Sequence, residues 1–102
     1  MKLEWRPTEP KQMTWQEAMD FAASLVDGWR LPTAQELFSL VDLSKMDPAS
    51  SDPDMKSTYY WSSTTYPSNP AYAWSVYFYS GFVSSDYKTY NGCMRCVREV
   101  EE

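Results

Sequence analysis

From Tyr59 onward the spacing of apolar positions along the chain has a period of two, whereas two helical runs precede it. Before that point Leu3-Glu4-Trp5 alternates apolar, polar and apolar, and Pro7 and Pro10 stop it, which suits a first strand at a sheet edge. Thr14-Trp15-Gln16-Glu17 has the form of a capping box, in which the Glu17 amide donates to the Thr14 hydroxyl and the Thr14 amide donates to the Glu17 carboxylate. Trp15, Ala18, Met19, Ala22, Leu25 and Val26 follow at helical spacing, and Gly28 stands where a left-handed residue ends a helix. The pattern predicts a helix from about Trp15 to Val26 with one apolar face. Thr33-Ala34-Gln35-Glu36 repeats the box after Pro32 and leads into Leu37, Leu40 and Val41, which predicts a short second helix. Asp42 to Lys56 is polar, holds Pro48 and Pro53, and shows neither period, so it reads as a long surface loop.

Beyond Tyr59, Tyr60-Trp61-Ser62-Ser63 predicts a short strand, and Tyr72, Trp74, Val76 and Phe78 alternate with Ala73, Ser75, Tyr77 and Tyr79 in another. Ser80-Gly81 turns, Phe82 to Lys88 returns, Asn91-Gly92 turns again, and Met94 to Val100 closes the sheet. Helices followed by an antiparallel meander predict an α+β domain with both helices on one face of the sheet. Trp29, Leu31, Trp61, Trp74, Val76 and Phe78 are the expected core, and Arg30 is expected to partner a buried carbonyl or carboxylate.

Four segments fall into one pattern: Gly28-Trp29-Arg30-Leu31-Pro32-Thr33 running into Gln35-Glu36-Leu37, Tyr60-Trp61-Ser62-Ser63-Thr64, Ala73-Trp74-Ser75-Val76-Tyr77-Phe78, and Arg95-Cys96-Val97-Arg98. In order and spacing they resemble the Lcl C-terminal domain family, from about Thr14 to Arg98. The resemblance implies a C-type-lectin-like fold, in which the first and last strands pair. Here that puts Leu3 to Trp5 beside part of Val97 to Val100, and Asp42 to Ser57 and Thr64 to Ala71 in a long irregular loop region. The family takes its name from a bacterial collagen-like adhesin and includes phage and mobile-element proteins, so the resemblance implies a fold and names no ligand. Many relatives carry a cysteine near the position of Ala22 that is implied to bridge to the cysteine of the last motif; this chain has alanine there. Formylglycine-generating enzymes share the broader fold, but nothing in the sequence around Cys93 or Cys96 supports carrying their activity over.

The chain of 102 residues reads as one domain, 1–102, with a modest core to which five Trp, four Phe and eight Tyr contribute. A net charge of -5 argues against nucleic acid and anionic membranes, which need clustered Lys and Arg. No run approaches the roughly 18 apolar residues of a membrane span. The start Met1-Lys2-Leu3-Glu4-Trp5 is unlike a signal peptide, which with the missing helix cysteine leads to an expected cytoplasmic location, a phage particle being the alternative. With no histidine and two cysteines, Cys93-x-x-Cys96 falls short of the four ligands of a structural zinc site. On a regular strand residues three apart point to opposite faces, so two free thiols are expected. Arg95 and Arg98 beside Cys96 would favour its thiolate, whereas a place among core residues would make it a small buried hydrophobe. Asp42, Asp47, Asp52 and Asp54 gather hard oxygen ligands in one loop, but without EF-hand spacing. The Glu-Pro-Asn, Gln-Pro-Asp and Trp-Asn-Asp triplets of sugar-binding lectins are absent, Ser68-Asn69-Pro70 being the nearest approach. No metal, no cofactor and no enzymatic activity are therefore expected.

All eight Tyr lie between Tyr59 and Tyr90, among Ser, Thr and Asn, a mixture that gives rigid amphipathic contact area beside adaptable hydrogen bonding. Lectin-like variable proteins of phage and bacterial diversity-generating elements show a similar mixture on this fold. Tyr77 and Tyr79 point away from the Trp74-Val76-Phe78 side, and with Tyr87 and Tyr90 they are the candidate binding residues: either one patch for a protein ligand, with a glycan possible, or a covering for the second face of the sheet. A second reading is a phage or mobile-element accessory protein whose acidic loop and C-terminal Glu99, Glu101 and Glu102 engage a basic host enzyme.

Overall fold

The two ends of the chain meet: β1 (Lys2–Trp5) pairs antiparallel with β5 (Val97–Val100), with Lys2 opposite Val100 and Trp5 opposite Val97. This is the pairing that the sequence resemblance implied. The computed structural model describes residues 2–101, so Met1 of the starting segment and Glu102 of the acidic C-terminus lie outside the described residues. A second, three-stranded antiparallel sheet runs in the order β2 (Tyr59–Thr65), β3 (Tyr72–Tyr77), β4 (Phe82–Tyr87). With α1 (Trp15–Ser24) and α2 (Ala34–Phe38) the domain is α+β, as the pattern predicts.

Both capping boxes form. The amides of Glu17 and Glu36 donate to the hydroxyls of Thr14 and Thr33 at 3.3 and 3.1 Å, and the amides of Thr14 and Thr33 donate to the two carboxylates at 2.9 and 2.8 Å. The end of α1 differs from expectation. Leu25 is already extended and turns its side chain inward, Val26 is 75% exposed, and Gly28 follows Asp27 in a positive-φ turn instead of capping the helix.

The closing strand also departs from the meander. After β4 the chain crosses to the far side of β2, where Cys93 runs parallel to Tyr60, and its backbone bonds go to Tyr59 and Trp61. Only Val97–Val100 is a strand, and it lies in the other sheet, because the Met94 and Cys96 carbonyls are taken by the Glu9 and Arg6 amides that extend from β1. The stretch 64–71 is also less loop-like than expected, since β2 continues to Thr65 and a tight hairpin leads into β3.

The helices do not share a face. Register places Tyr60 beside Val76 on one side of the three-stranded sheet and Trp61 beside Ser75 on the other. The Tyr60 side packs with Leu37 of α2, Met55 and Phe78; the Trp61 side packs with Ala18 and Ala22 of α1, Leu31, Met94 and Cys96. The sequence shows the two-sided burial only as small residues, Ala73 and Ser75, where an outward face was expected; both are buried. Leu31, Trp61, Val76 and Phe78 are buried as predicted, whereas Trp29 and Trp74 are half-buried. The five-residue α2 is too short to roof Trp74, and Trp29 lies beneath the guanidinium of Arg98 at 4.6 Å. Nor is Asp42 to Lys56 a plain surface loop, since Ala49 and Met55 are buried within it and the Ala49 amide donates to the Phe78 carbonyl.

The four family-like segments stitch these layers together. Arg30 and Val97 exchange both backbone hydrogen bonds, at 2.9 and 2.8 Å, and the Ser63 amide donates to the Pro32 carbonyl. Arg30 forks onto both oxygens of Glu36 at 2.7 and 2.8 Å and donates to the Leu31 carbonyl, so it does meet a carboxylate and a carbonyl. Those bonds from Arg30 hold the Glu36 carboxyl below its usual range despite partial burial.

These burials predict an order among the tryptophans. Trp61→Ala removes a buried ring whose indole N–H donates to the Met13 carbonyl at 3.0 Å and should cost about 3–5 kcal/mol. Trp74→Ala, at a half-buried site, should cost only about 1–2 kcal/mol. Urea unfolding of the two variants checks this, and equal losses would contradict the assigned burial.

Candidate functional site

On the Trp61 side of the three-stranded sheet, α1 covers the end near Ala73 and leaves a groove of about 440 Å³ beside it. Tyr59, Trp61 and Tyr90 supply aromatic surface to this groove, Ser75 and Asp86 supply its polar floor, and Thr89 to Gly92 form one rim. Sequence shapes it in two places. A Cβ on Gly92 would stand 3.1 Å from the Trp61 indole nitrogen, so glycine lets the rim lie directly on that ring. The buried Ser75 hydroxyl donates to Asp86 Oδ2 at 2.6 Å and orients the carboxylate across the strand pair.

The four candidate tyrosines divide into two groups. Tyr77 and Tyr79 belong to one stack, with Tyr59 at 4.5 Å from Tyr77 and Tyr79 at 5.9 Å. Tyr87 and Tyr90 belong to a second row, in which Tyr72 and Tyr87 lie 4.3 Å apart and Tyr90 meets Tyr87 edge-on at 5.4 Å. The register explains the division. Tyr77 faces the Trp61 side, while Tyr87, directly opposite Tyr72, shares the Trp74 side, and only Tyr90, carried on the following turn, reaches into the groove. Tyr77, Tyr79 and Tyr90 therefore border the groove face, and Tyr87 lies on the other face. Tyr59 was not singled out, because its place depends on which residue of β3 it faces, and sequence alone does not supply that register. Burial, together with the nearby charge of Asp86 and the Tyr77 ring, raises the Tyr59 hydroxyl above its ordinary pKa.

The acidic loop is occupied with internal work. The guanidinium of the buried Arg95 donates to Asp52 Oδ2 at 2.8 Å and lies 3.8 Å from Asp54 Oδ2, which also accepts from the Thr8 amide at 2.8 Å. Burial pushes the Asp52 carboxyl upward, but the Asp54 amide and Arg95 hold it below the usual range. Asp42 accepts from Ser44 and Ser51 and folds the loop on itself. Asp47 stays exposed. Among the described residues no group of three or more acidic or thiol side chains is placed to hold a metal ion.

Cys93 and Cys96 are free, buried, and in different core clusters on opposite sides of the sheet. Burial pushes the Cys96 thiol up to about 11, which outweighs the favourable charge of Arg6 and leaves a small buried hydrophobe where a reactive thiolate was the alternative. Ala22, near the position where the sequence resemblance implies a second cysteine in many relatives, lies in the same core cluster as Cys96.

The chain belongs to the Lcl C-terminal domain family, whose pattern it matches over residues 1–98. The match takes in β1 as well as the segments from Thr14 onward. A comparison with curated proteins gives no match.

Thiol titration follows from the burial. In native protein at pH 8 a small disulfide reagent should label neither cysteine quickly, and both should react at once in urea. Rapid native labelling of Cys96 would contradict its placement, and fewer than two thiols in urea would reveal a bridge.

Proposed function

We propose that this Lcl C-terminal domain is a non-enzymatic binding module that recognises a protein partner through the groove face of its three-stranded sheet. The observation that carries this reading is the groove of about 440 Å³ with rings of Tyr59, Trp61 and Tyr90 around a polar floor, continued by the stacked Tyr77 and Tyr79. Stacked tyrosines are held rigid before a partner arrives, so little side-chain entropy is lost on contact. Aromatic-walled pockets that lose their water on contact concentrate binding energy in few residues. The hydroxyl–carboxylate pair described on this face, Ser75 with Asp86, has its hydroxyl buried, and the thiols are buried elsewhere. The pairing of the terminal strands fits the C-type-lectin-like fold that the sequence resemblance implies, and this adds support. A cytoplasmic setting fits two unpaired thiols.

The accessory-protein reading, in which the acidic loop grips a basic enzyme, is weaker. Asp52 and Asp54 direct their charge at Arg95 and Glu99 pairs with Arg30, which leaves the exposed Asp47 and Glu101 to attract a partner.

Affinity capture from host lysate tests the choice between the surfaces. Changing Tyr77 and Tyr79 together to Ser should leave a cooperative unfolding transition and reduce recovery of the captured protein at least tenfold. Asp47→Lys with Glu101→Lys should leave recovery within about twofold. The reverse pattern would transfer the function to the acidic surface.

A further inference from the structure

Asp86 is the charged residue of the groove, and the fold does not use up its chemistry. It is half-buried, Ser75 occupies Oδ2 at 2.6 Å, and Oδ1 receives no hydrogen bond from any described residue. It takes part in none of the ion pairs among the described residues, which otherwise engage Glu4, Glu9, Glu36, Asp52, Asp54 and Glu99. Lys88, two positions along the same strand face, does not neutralise it: its ammonium sits 4.1 Å from the centre of the Trp15 ring and donates to the Thr65 hydroxyl at 3.0 Å. An unneutralised carboxylate among aromatic rings is complementary to a cation, because the ring faces and the carboxylate oxygen attract the same charge.

Resting on the binding-face reading above, we infer that the groove receives an arginine side chain of the protein partner. The guanidinium stacks against the rings at the groove wall and donates to the free Oδ1 of Asp86, and further N–H groups face the side-chain oxygens of Thr89 and Asn91 on the rim. Arginine suits this site better than lysine. Its planar, weakly hydrated group matches flat walls and several separated acceptors, whereas an ammonium is compact and gives up its water reluctantly. The domain makes the same contact internally, with Arg98 over Trp29 at 4.6 Å and Arg95 over Trp5 at 5.4 Å. A net charge of -5 also draws a basic partner toward the surface.

The test is a two-dimensional NMR titration of the whole domain with three probes of similar length: N-acetyl-arginine amide, N-acetyl-lysine amide and N-acetyl-norleucine amide. The arginine probe should shift the Trp61 indole N–H and the Tyr90 and Gly92 amides in a saturable way, the lysine probe should bind several-fold more weakly, and norleucine should not saturate. Asp86→Asn, which keeps an acceptor for Ser75, should weaken arginine binding about tenfold. Equal binding of lysine would overturn the choice of arginine. Equal binding of norleucine, an unchanged affinity in Asp86→Asn, or no saturable shift with any probe would overturn the cationic site altogether. None of these outcomes touches the binding-face reading, which fails only if capture survives the loss of Tyr77 and Tyr79.

Discussion

Arg95 is a charged side chain left only 7% exposed, and the way it is neutralised fixes most of the molecule around it. A buried cation costs several kcal/mol unless it is paired and its donors are satisfied. Arg95 meets that demand from three directions. Asp52 faces one terminal nitrogen with Asp54 near the other, the Arg6 carbonyl accepts from Nε, and the Trp5 ring lies 5.4 Å from the guanidinium. One side chain near the C-terminus therefore holds the end of β1, the strand extension after it, and a loop more than forty residues earlier in the sequence.

The consequence for function runs through this loop. Because Asp52 and Asp54 turn inward, the acidic loop is a structural strap, with Ala49 and Met55 built into or against the Tyr60 side of the sheet. The opposite side is only partly roofed, since ten-residue α1 lies over Trp61 and Ala73 and stops there. Open sheet beyond the helix presents the tyrosine stack and the Asp86 groove. What faces outward is thus decided by which carboxylates the core has already claimed.

Local chemistry was legible in the sequence and long-range register was not. The two capping boxes form as written because each involves four consecutive residues. The pairing of the first and last strands came from the resemblance, and the helix and strand types came from apolar spacing. Burial on both faces of β3 was missed because a buried face made of Ala73 and Ser75 carries no apolar signal. The division of the tyrosines was missed for a related reason: Tyr77 and Tyr87 sit on different faces through a register that depends on the Tyr77–Phe82 end of the hairpin, not on either residue alone. The Asp52–Arg95 pair spans 43 positions, and a polar loop gives no sign of such a partner.

Asp52 and Arg95 act as one unit, and a double-mutant cycle of Asp52→Asn and Arg95→Lys, measured by urea unfolding, tests this directly. Each single change should be destabilising and the double variant should lose less than their sum, with a coupling of about 1.5 kcal/mol or more. Additivity within about 0.5 kcal/mol would mean that the loop holds without Arg95 and would return its acidic charge to the surface.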